Sequence, residues 1–144
     1  MNPFIIVRNF DTDASSLWRA LTEKDLMKLW YFDIPDFKAE IGHNFSFLGT
    51  SEDGTQYKHL CEITELIPYE KLTYSWRYEG YEGISYVTFE LEELDQHTKL
   101  TLTHAGLESF PLSNPDFAKE NFAAGWSHII GVSLTEYINH SKKR

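Results

Sequence analysis

Two segments near the end of the chain constrain its fold more than any other feature of the sequence. Residues 99–107 (KLTLTHAGL) alternate polar and apolar side chains along most of their length, which is typical of a β-strand with one buried face. From Gly125 onward, apolar residues recur three and four positions apart, which predicts an amphipathic α-helix. The pattern therefore predicts a strand that ends a sheet and a long helix that lies across that sheet.

Turn-forming residues divide the earlier part of the chain into further strands and helices. An apolar strand comes first, and two short amphipathic helices follow it, one ending near Thr22 and the other near Trp30. The predicted strands cover residues 3–10, 37–48 (as one strand or two), 57–66, 72–78, 84–94 and 98–104, and the predicted final helix covers residues 116–140. This order of elements predicts an α+β protein.

Several short motifs follow one another along nearly the whole chain. They are LWRALT at 17–22, a second tryptophan at position 30, GHNFSF at 42–47, YSW at 74–76, VTFEL at 87–91, TKLTLTHAG at 98–106 and GW at 125–126. In this order they resemble the activator-of-Hsp90-ATPase-like family, a branch of the START-like (SRPBCC or Bet v 1-like) superfamily. The resemblance implies a helix-grip fold in a single domain over residues 1–144. In that fold a curved antiparallel sheet of about six or seven strands wraps around a long C-terminal helix, and two short helices follow the first strand.

The charge of the chain argues against several classes of partner. Thirteen Lys and Arg residues stand against 22 Asp and Glu residues, for a net charge of -9, which disfavours binding to nucleic acid or to an anionic membrane surface. The single cysteine, Cys61, permits no internal disulfide and fits a reducing compartment. The first residues lack the pattern of a signal peptide, and no apolar run approaches the roughly 20 residues of a membrane span. We therefore expect a cytoplasmic protein.

The inward faces of the predicted strands and of the final helix carry aromatic side chains together with polar-tipped ones. Buried polar groups need hydrogen-bond partners, which water or a ligand in a cavity between sheet and helix can supply. A solid aromatic core is the other interpretation, and the sequence leaves both open. The candidate cavity residues are Phe45, Phe47, His59, Cys61, Tyr74, Trp76, Tyr78, Phe89, Leu102, His104, Trp126, Ile130, Ser133 and Tyr137.

Two of these residues have chemistry that requires separate consideration. His59 and Cys61 lie on one strand face, but zinc needs three or four ligands, so a metal site also requires His43 or His104. Cys61 as a nucleophile requires His59 as its base, and a buried inert thiol is the commoner case. His104, at the end of a strand, is expected to bond a backbone group or to cap the following loop. We therefore expect no metal, no cofactor and no catalytic residue.

The resemblance implies three functions. The first is a non-enzymatic START-like domain that binds a small hydrophobic or aromatic molecule between the sheet and the C-terminal helix. The alternative is an interaction module of the Hsp90-activator type, whose partner is a chaperone. The third is an enzyme, because helix-grip relatives include cyclases and hydrolases that use polar groups in the same cavity.

Overall fold

The computed structural model describes residues 2–51 and 53–141 and contains six strands. The strands are β1 (Phe4–Phe10), β2 (Asn44–Thr50), β3 (Gln56–Ile67), β4 (Lys71–Tyr78), β5 (Ser85–Leu94) and β6 (His97–Ala105). The α-helices are α1 (Ala14–Thr22), α2 (Lys24–Met27), α3 (Lys119–His128) and α4 (Thr135–Ser141). A π-helical segment, Ile129–Leu134, joins α3 to α4, so that these three parts form one C-terminal helix.

The six strands form one open antiparallel sheet in the order β1-β6-β5-β4-β3-β2. Because β1 and β2 lie at opposite ends of this order, the sheet has two free edges. Alternate residues of β5 and β6 are buried, as their sequence pattern predicts. The predicted α+β class, the curved antiparallel sheet, the long C-terminal helix and the two short helices after the first strand are thus confirmed.

Two parts of the sequence prediction were wrong in their boundaries. Residues 37–43 are not a strand, because a turn between Glu40 and His43 and a left-handed Gly42 (φ 88°) interrupt the extended backbone before β2. The final helix begins at Lys119 rather than at residue 116. Pro115–Phe117 instead form a separate 3-10 turn.

The C-terminal helix changes its phase along its length. Phe122, Trp126 and Ile130 are buried, as the sequence predicts. In a regular α-helix the buried face would next include Ser133. The wider π-helical turn shifts the buried face by one residue along the chain, so Leu134 is buried instead. The hydroxyl of Thr135 donates to the carbonyl oxygen of Ile130 (3.1 Å) and so provides this carbonyl with a partner within the widened turn.

The phase change can be tested by comparing two neighbouring positions. Leu134 is fully buried, so Leu134→Ala is expected to lower the free energy of unfolding by about 2–5 kcal/mol through lost burial and the resulting cavity. Ser133→Ala is expected to change it by less than about 0.5 kcal/mol. Urea denaturation of both variants measures the difference. Equal effects, or a larger effect at Ser133, would contradict the placement of the π-helical segment.

Candidate functional site

A series of hydrogen bonds through the core joins α3 to three neighbouring strands. The indole Nε1–H of Trp126 on α3 donates to Nδ1 of His104 on β6 (2.9 Å). Nε2 of His104 lies 2.8 Å from Oγ of Ser85 on β5. The Ser85 hydroxyl in turn donates to the backbone carbonyl of Trp76 on β4 (2.9 Å). All four residues are buried, so this hydrogen-bond series supplies partners within the core itself.

These hydrogen bonds fix the protonation state of the His104 ring. An indole N–H can only donate, so Nδ1 of His104 must accept, and the proton of the neutral ring lies on Nε2 and is donated to Ser85. Burial, followed by the neighbouring imidazole of His59, lowers the pKa of His104 to about 3. His104 is therefore a neutral structural residue that bonds side chains. The backbone or loop-capping role expected from the sequence was wrong.

Beside this series lies a cleft of about 470 Å³, bordered by the ends of β2, β3 and β4 and by the first turns of α3. We call it the aromatic cleft. Seven of the residues that line it are Phe, Tyr or Trp: Phe32, Tyr57, Trp76, Tyr78, Phe117, Phe122 and Trp126. Ring centroids of Trp76 and Trp126 are 5.6 Å apart, so two indoles form adjacent parts of one wall.

Two glycines limit how much of the cleft is filled. Gly125 of α3 borders the cleft at an exposed position, and a Cβ placed on it would meet no atom within 4 Å, so the cleft is open to solvent here. A Cβ placed on Gly49 of β2 would lie 2.6 Å from Cε1 of His59, so this position must lack a side chain for the imidazole to keep its place. Since glycine in a helix costs about 1 kcal/mol relative to alanine, Gly125 is unfavourable for the helix itself.

Polar side chains form one rim of the cleft. The hydroxyl of Tyr57 donates to Oδ2 of Asp116 (2.6 Å) and accepts from Nδ2 of Asn114 (3.2 Å). The side chain of Asn114 also accepts from the backbone N–H of Asp116 (3.0 Å), which fixes the 3-10 turn that carries the carboxylate. Burial, and then the bond to Asp116, raise the pKa of Tyr57, so its hydroxyl remains a donor.

His59 contributes a neutral imidazole to the cleft. Its Nδ1 lies 3.2 Å from the carbonyl oxygen of Tyr57, and since a carbonyl only accepts, Nδ1 carries the proton. The ring stacks on Phe47, with centroids 4.4 Å apart and an interplanar angle of 12°. Burial lowers the pKa of His59 to about 4, so the cleft has no cationic imidazole at neutral pH.

The structure distributes the candidate residues from the sequence over several places. Four of them line the aromatic cleft: His59, Trp76, Tyr78 and Trp126. Eight pack in the adjoining core: Phe45, Phe47, Cys61, Tyr74, Phe89, Leu102, His104 and Ile130. Phe45 and Cys61 face the same side of the sheet as Phe47 and His59, and the ring of Phe45 packs on that of Tyr74, with centroids 5.2 Å apart. The last two, Ser133 and Tyr137, line a third groove between α2 and the C-terminal helix, where Tyr137 is partly buried against the edge of the core.

Sequence reasoning did not select several residues that line the cleft. Phe32 lies in an irregular segment after α2, where no periodicity indicates the direction of a side chain. Asp116 and Phe117 lie in the 3-10 turn that the sequence pattern had assigned to the final helix. The sequence does indicate Gly125, because a glycine in a predicted helix is unfavourable unless the helix backbone lies close to the sheet or a ligand needs space beside it.

The proposed chemistry of His59 and Cys61 finds little support in the geometry. Among residues 2–51 and 53–141, no three His, Cys, Asp or Glu side chains are grouped so that they could hold a metal ion. Cys61 is buried, and this burial raises the pKa of its thiol, which disfavours the nucleophilic thiolate.

No helix in the described part of the chain is long and apolar enough to cross a membrane.

The profile of one protein family, described as "Activator of Hsp90 ATPase homolog 1-like protein", matches residues 11–139. The chain belongs to this family. The identification from its sequence motifs is thus confirmed. No curated protein sequence matches the chain.

Solved structures share the fold of this family member. Mll3558 from Rhizobium loti is similar with a TM-score of 0.81 at 17% identity, covering 94% of this chain and 95% of that protein. MLL2253 from Mesorhizobium loti has a TM-score of 0.69 at 25% identity, with coverages of 96% and 94%. DynU16, a protein in the dynemicin biosynthetic locus, has a TM-score of 0.76 at 16% identity; the match covers 96% of this chain and 48% of DynU16.

The inert state of Cys61 can be tested by thiol labelling. Burial raises the pKa of the Cys61 thiol, and the fraction present as thiolate at neutral pH falls about tenfold for each unit by which the pKa rises. Burial also restricts the access of a reagent to the sulfur. Ellman's reagent is expected to label the native protein far more slowly than the protein in guanidinium chloride. Labelling of native and unfolded protein at the same rate would restore Cys61 as a candidate nucleophile.

The neutral state of His104 predicts a pH dependence of stability. The unfolded chain takes up a proton at this residue below about pH 6.5, whereas the folded protein does so only near pH 3. Stability is therefore lost as the pH falls from 6.5 towards 3, by up to about 1.4 kcal/mol per pH unit from this group. His104→Gln removes the contribution, so its free energy of unfolding should fall less steeply in urea titrations across this range. Parallel slopes for wild type and variant would contradict the assignment.

Proposed function

We propose that this family member is a non-enzymatic binding domain that holds a small hydrophobic, aromatic molecule in the aromatic cleft. The aromatic lining of the cleft, which opens at Gly125, is the observation that carries the proposal. A glycine within α3 destabilises the helix, and an alanine could be accommodated there without contact. A position that is unfavourable for the helix but keeps space beside Trp126 is expected where a ligand occupies that space.

The size and lining of the cleft support a flat organic ligand. Its volume of about 470 Å³ lies within the range typical of small-molecule sites, roughly 300–1,000 Å³. The indoles of Trp76 and Trp126 border the cleft and give it an aromatic lining, against which a flat apolar molecule can pack. The fold of DynU16, a protein in a biosynthetic locus, fits a role for this architecture in handling small molecules.

The polar groups near the cleft favour binding over catalysis. His104 has both ring nitrogens engaged, and its low pKa makes it a weak base. His59 is likewise neutral with a lowered pKa, and Cys61 is buried in the core, which raises the pKa of its thiol. A general acid or base works best with a pKa near the operating pH, which none of these groups has.

A second candidate function follows from the description of the family. An activator of the Hsp90 ATPase acts through contact with a chaperone, and such contact depends on the protein surface. This function should be indifferent to substitutions that fill the aromatic cleft. The same variants therefore separate the two candidates.

Filling the cleft tests the proposal. We expect naphthalenemethanol, a neutral flat probe, to bind the wild type and to quench tryptophan fluorescence, since Trp76 and Trp126 line the cleft. Gly125→Phe places a ring in the open space and should weaken binding about tenfold or more, as measured by calorimetry. Gly125→Ala adds only a methyl group and should retain binding while raising the melting temperature.

Ser133→Phe is the control for a different site, because Ser133 lines the groove at α2 rather than the cleft. It should leave the affinity for naphthalenemethanol unchanged. If Gly125→Phe binds the probe as well as the wild type does, the ligand does not occupy the cleft. If the wild type binds no probe, the binding function is wrong, and interaction through the surface takes its place.

A further inference from the structure

The charge of the aromatic cleft is negative and comes from one side chain. Among the described residues that line it, Asp116 is the one acidic group, and no lysine or arginine is present. The imidazole of His59 is neutral, because burial lowers its pKa to about 4. An anionic ligand would therefore find no cation in the cleft, whereas a cationic ligand would find a carboxylate.

Asp116 is held in place but retains capacity for another partner. The hydroxyl of Tyr57 donates to Oδ2 of Asp116 (2.6 Å), and the backbone N–H of Asp116 donates to Oδ1 of Asn114 (3.0 Å). A carboxylate has two oxygens with about four lone-pair sites, so Asp116 can accept further hydrogen bonds. Charge-assisted bonds to an ammonium group are about twice as strong as neutral ones. The carboxylate is thus preorganised to receive a donor.

Through Tyr57, the carboxylate adjoins a cluster of aromatic rings. The ring centroid of Tyr57, whose hydroxyl bonds Asp116, lies 5.3 Å from that of Phe117 and 5.6 Å from that of Tyr78. Tyr78 and Phe117 stack with centroids 4.8 Å apart, and Tyr81 packs edge-on against Phe117 (5.1 Å). Aromatic faces attract cations, and the attraction strengthens where water is excluded. Rings next to a carboxylate form a setting that suits an organic cation.

The other polar groups on this rim also present acceptors. Nδ2 of Asn121 donates to the carbonyl of Pro115 (2.6 Å), which leaves the amide oxygen of Asn121 to accept. The Tyr57 hydroxyl already donates to Asp116, and Nδ1–H of His59 points to the carbonyl of Tyr57. The Tyr57 hydroxyl and the Nδ1–H of His59 are thus engaged within the protein, whereas the oxygens of Asp116 and Asn121 can accept from a ligand that donates hydrogen bonds.

From this arrangement we infer that the cleft selects aromatic ligands that carry a protonated amine, with Asp116 as the residue that recognises the charge. The inference rests on the proposed binding function and names the chemical class of its ligand. The aromatic body of the ligand lies against Trp76 and Trp126, and the ammonium group lies at the rim between Asp116 and the rings of Tyr57 and Phe117. Aromatic carboxylates and phosphates are rejected, because their charge has the same sign as that of Asp116.

Three probes of nearly equal size test the inference on the intact protein. Naphthalenemethylamine is cationic at neutral pH, naphthalenemethanol is neutral, and naphthoic acid is anionic. Calorimetry should give the order amine, alcohol, acid, with the amine about tenfold or more tighter than the alcohol at low salt. Raising the ionic strength should reduce the advantage of the amine and leave the alcohol unaffected, a readout that needs no variant.

Asp116→Asn separates the recognition of charge from the structural role of the residue. The amide keeps an oxygen that can accept from Tyr57, so the rim should retain its shape, which thermal denaturation checks. The variant should bind amine and alcohol with nearly equal affinity. Glu92→Gln, at an exposed position of β5, makes the same change in net charge and should preserve the advantage of the amine.

The outcomes distinguish this inference from the function on which it rests. If the wild type binds the alcohol but binds the amine no more tightly, the binding function stands and the selection of cations is wrong. An advantage of the amine that survives in Asp116→Asn, or is lost equally in Glu92→Gln, would also overturn the role of Asp116. If none of the three probes binds, the proposed function and this inference fail together.

Discussion

The hydrogen bond from Trp126 to His104 determines much of the remaining structure. It brings two large polar-tipped side chains into a core that would otherwise penalise each of them by roughly 1–3 kcal/mol for a missing partner. Because Ser85 and the carbonyl of Trp76 continue the series, α3 is joined to β4, β5 and β6 by directional contacts. The helix is thereby fixed in rotation as well as in position, which hydrophobic packing alone does less strictly.

This anchoring explains why the candidate site lies at one end of the interface between helix and sheet. Beyond Trp126 the interface is filled by Phe89, Ile130 and Leu134, all of them buried. On the other side of Trp126 the helix carries Gly125 and approaches the ends of β2 and β3, where side-chain volume is lacking. One indole thus has two roles, since it completes the core with one part of its surface and borders the cleft with another.

The sequence allowed most of the fold to be predicted, because its alternation is regular. Val87, Phe89, Leu100 and Leu102 all lie on the faces that a period of two assigns to them. The candidate site was predicted less well for a physical reason. Asp116 and the other rim residues lie in irregular segments, where tertiary contacts rather than a local repeat determine the direction of each side chain. Ser133 was misplaced because a constant angle of 100° per residue cannot represent a π-helical turn.

The π-helical segment also marks the place where this helix can change in length. Removing one residue from positions 129–134 would restore an ordinary α-helix, and because the wider turn delays the buried face by one residue, Ile138 would keep its place in the core. Removing one residue from the regular stretch 119–128 would instead rotate the later side chains by about 100° around the axis relative to the earlier ones. Among relatives, a one-residue difference in the length of the C-terminal helix should therefore fall within the widened turn.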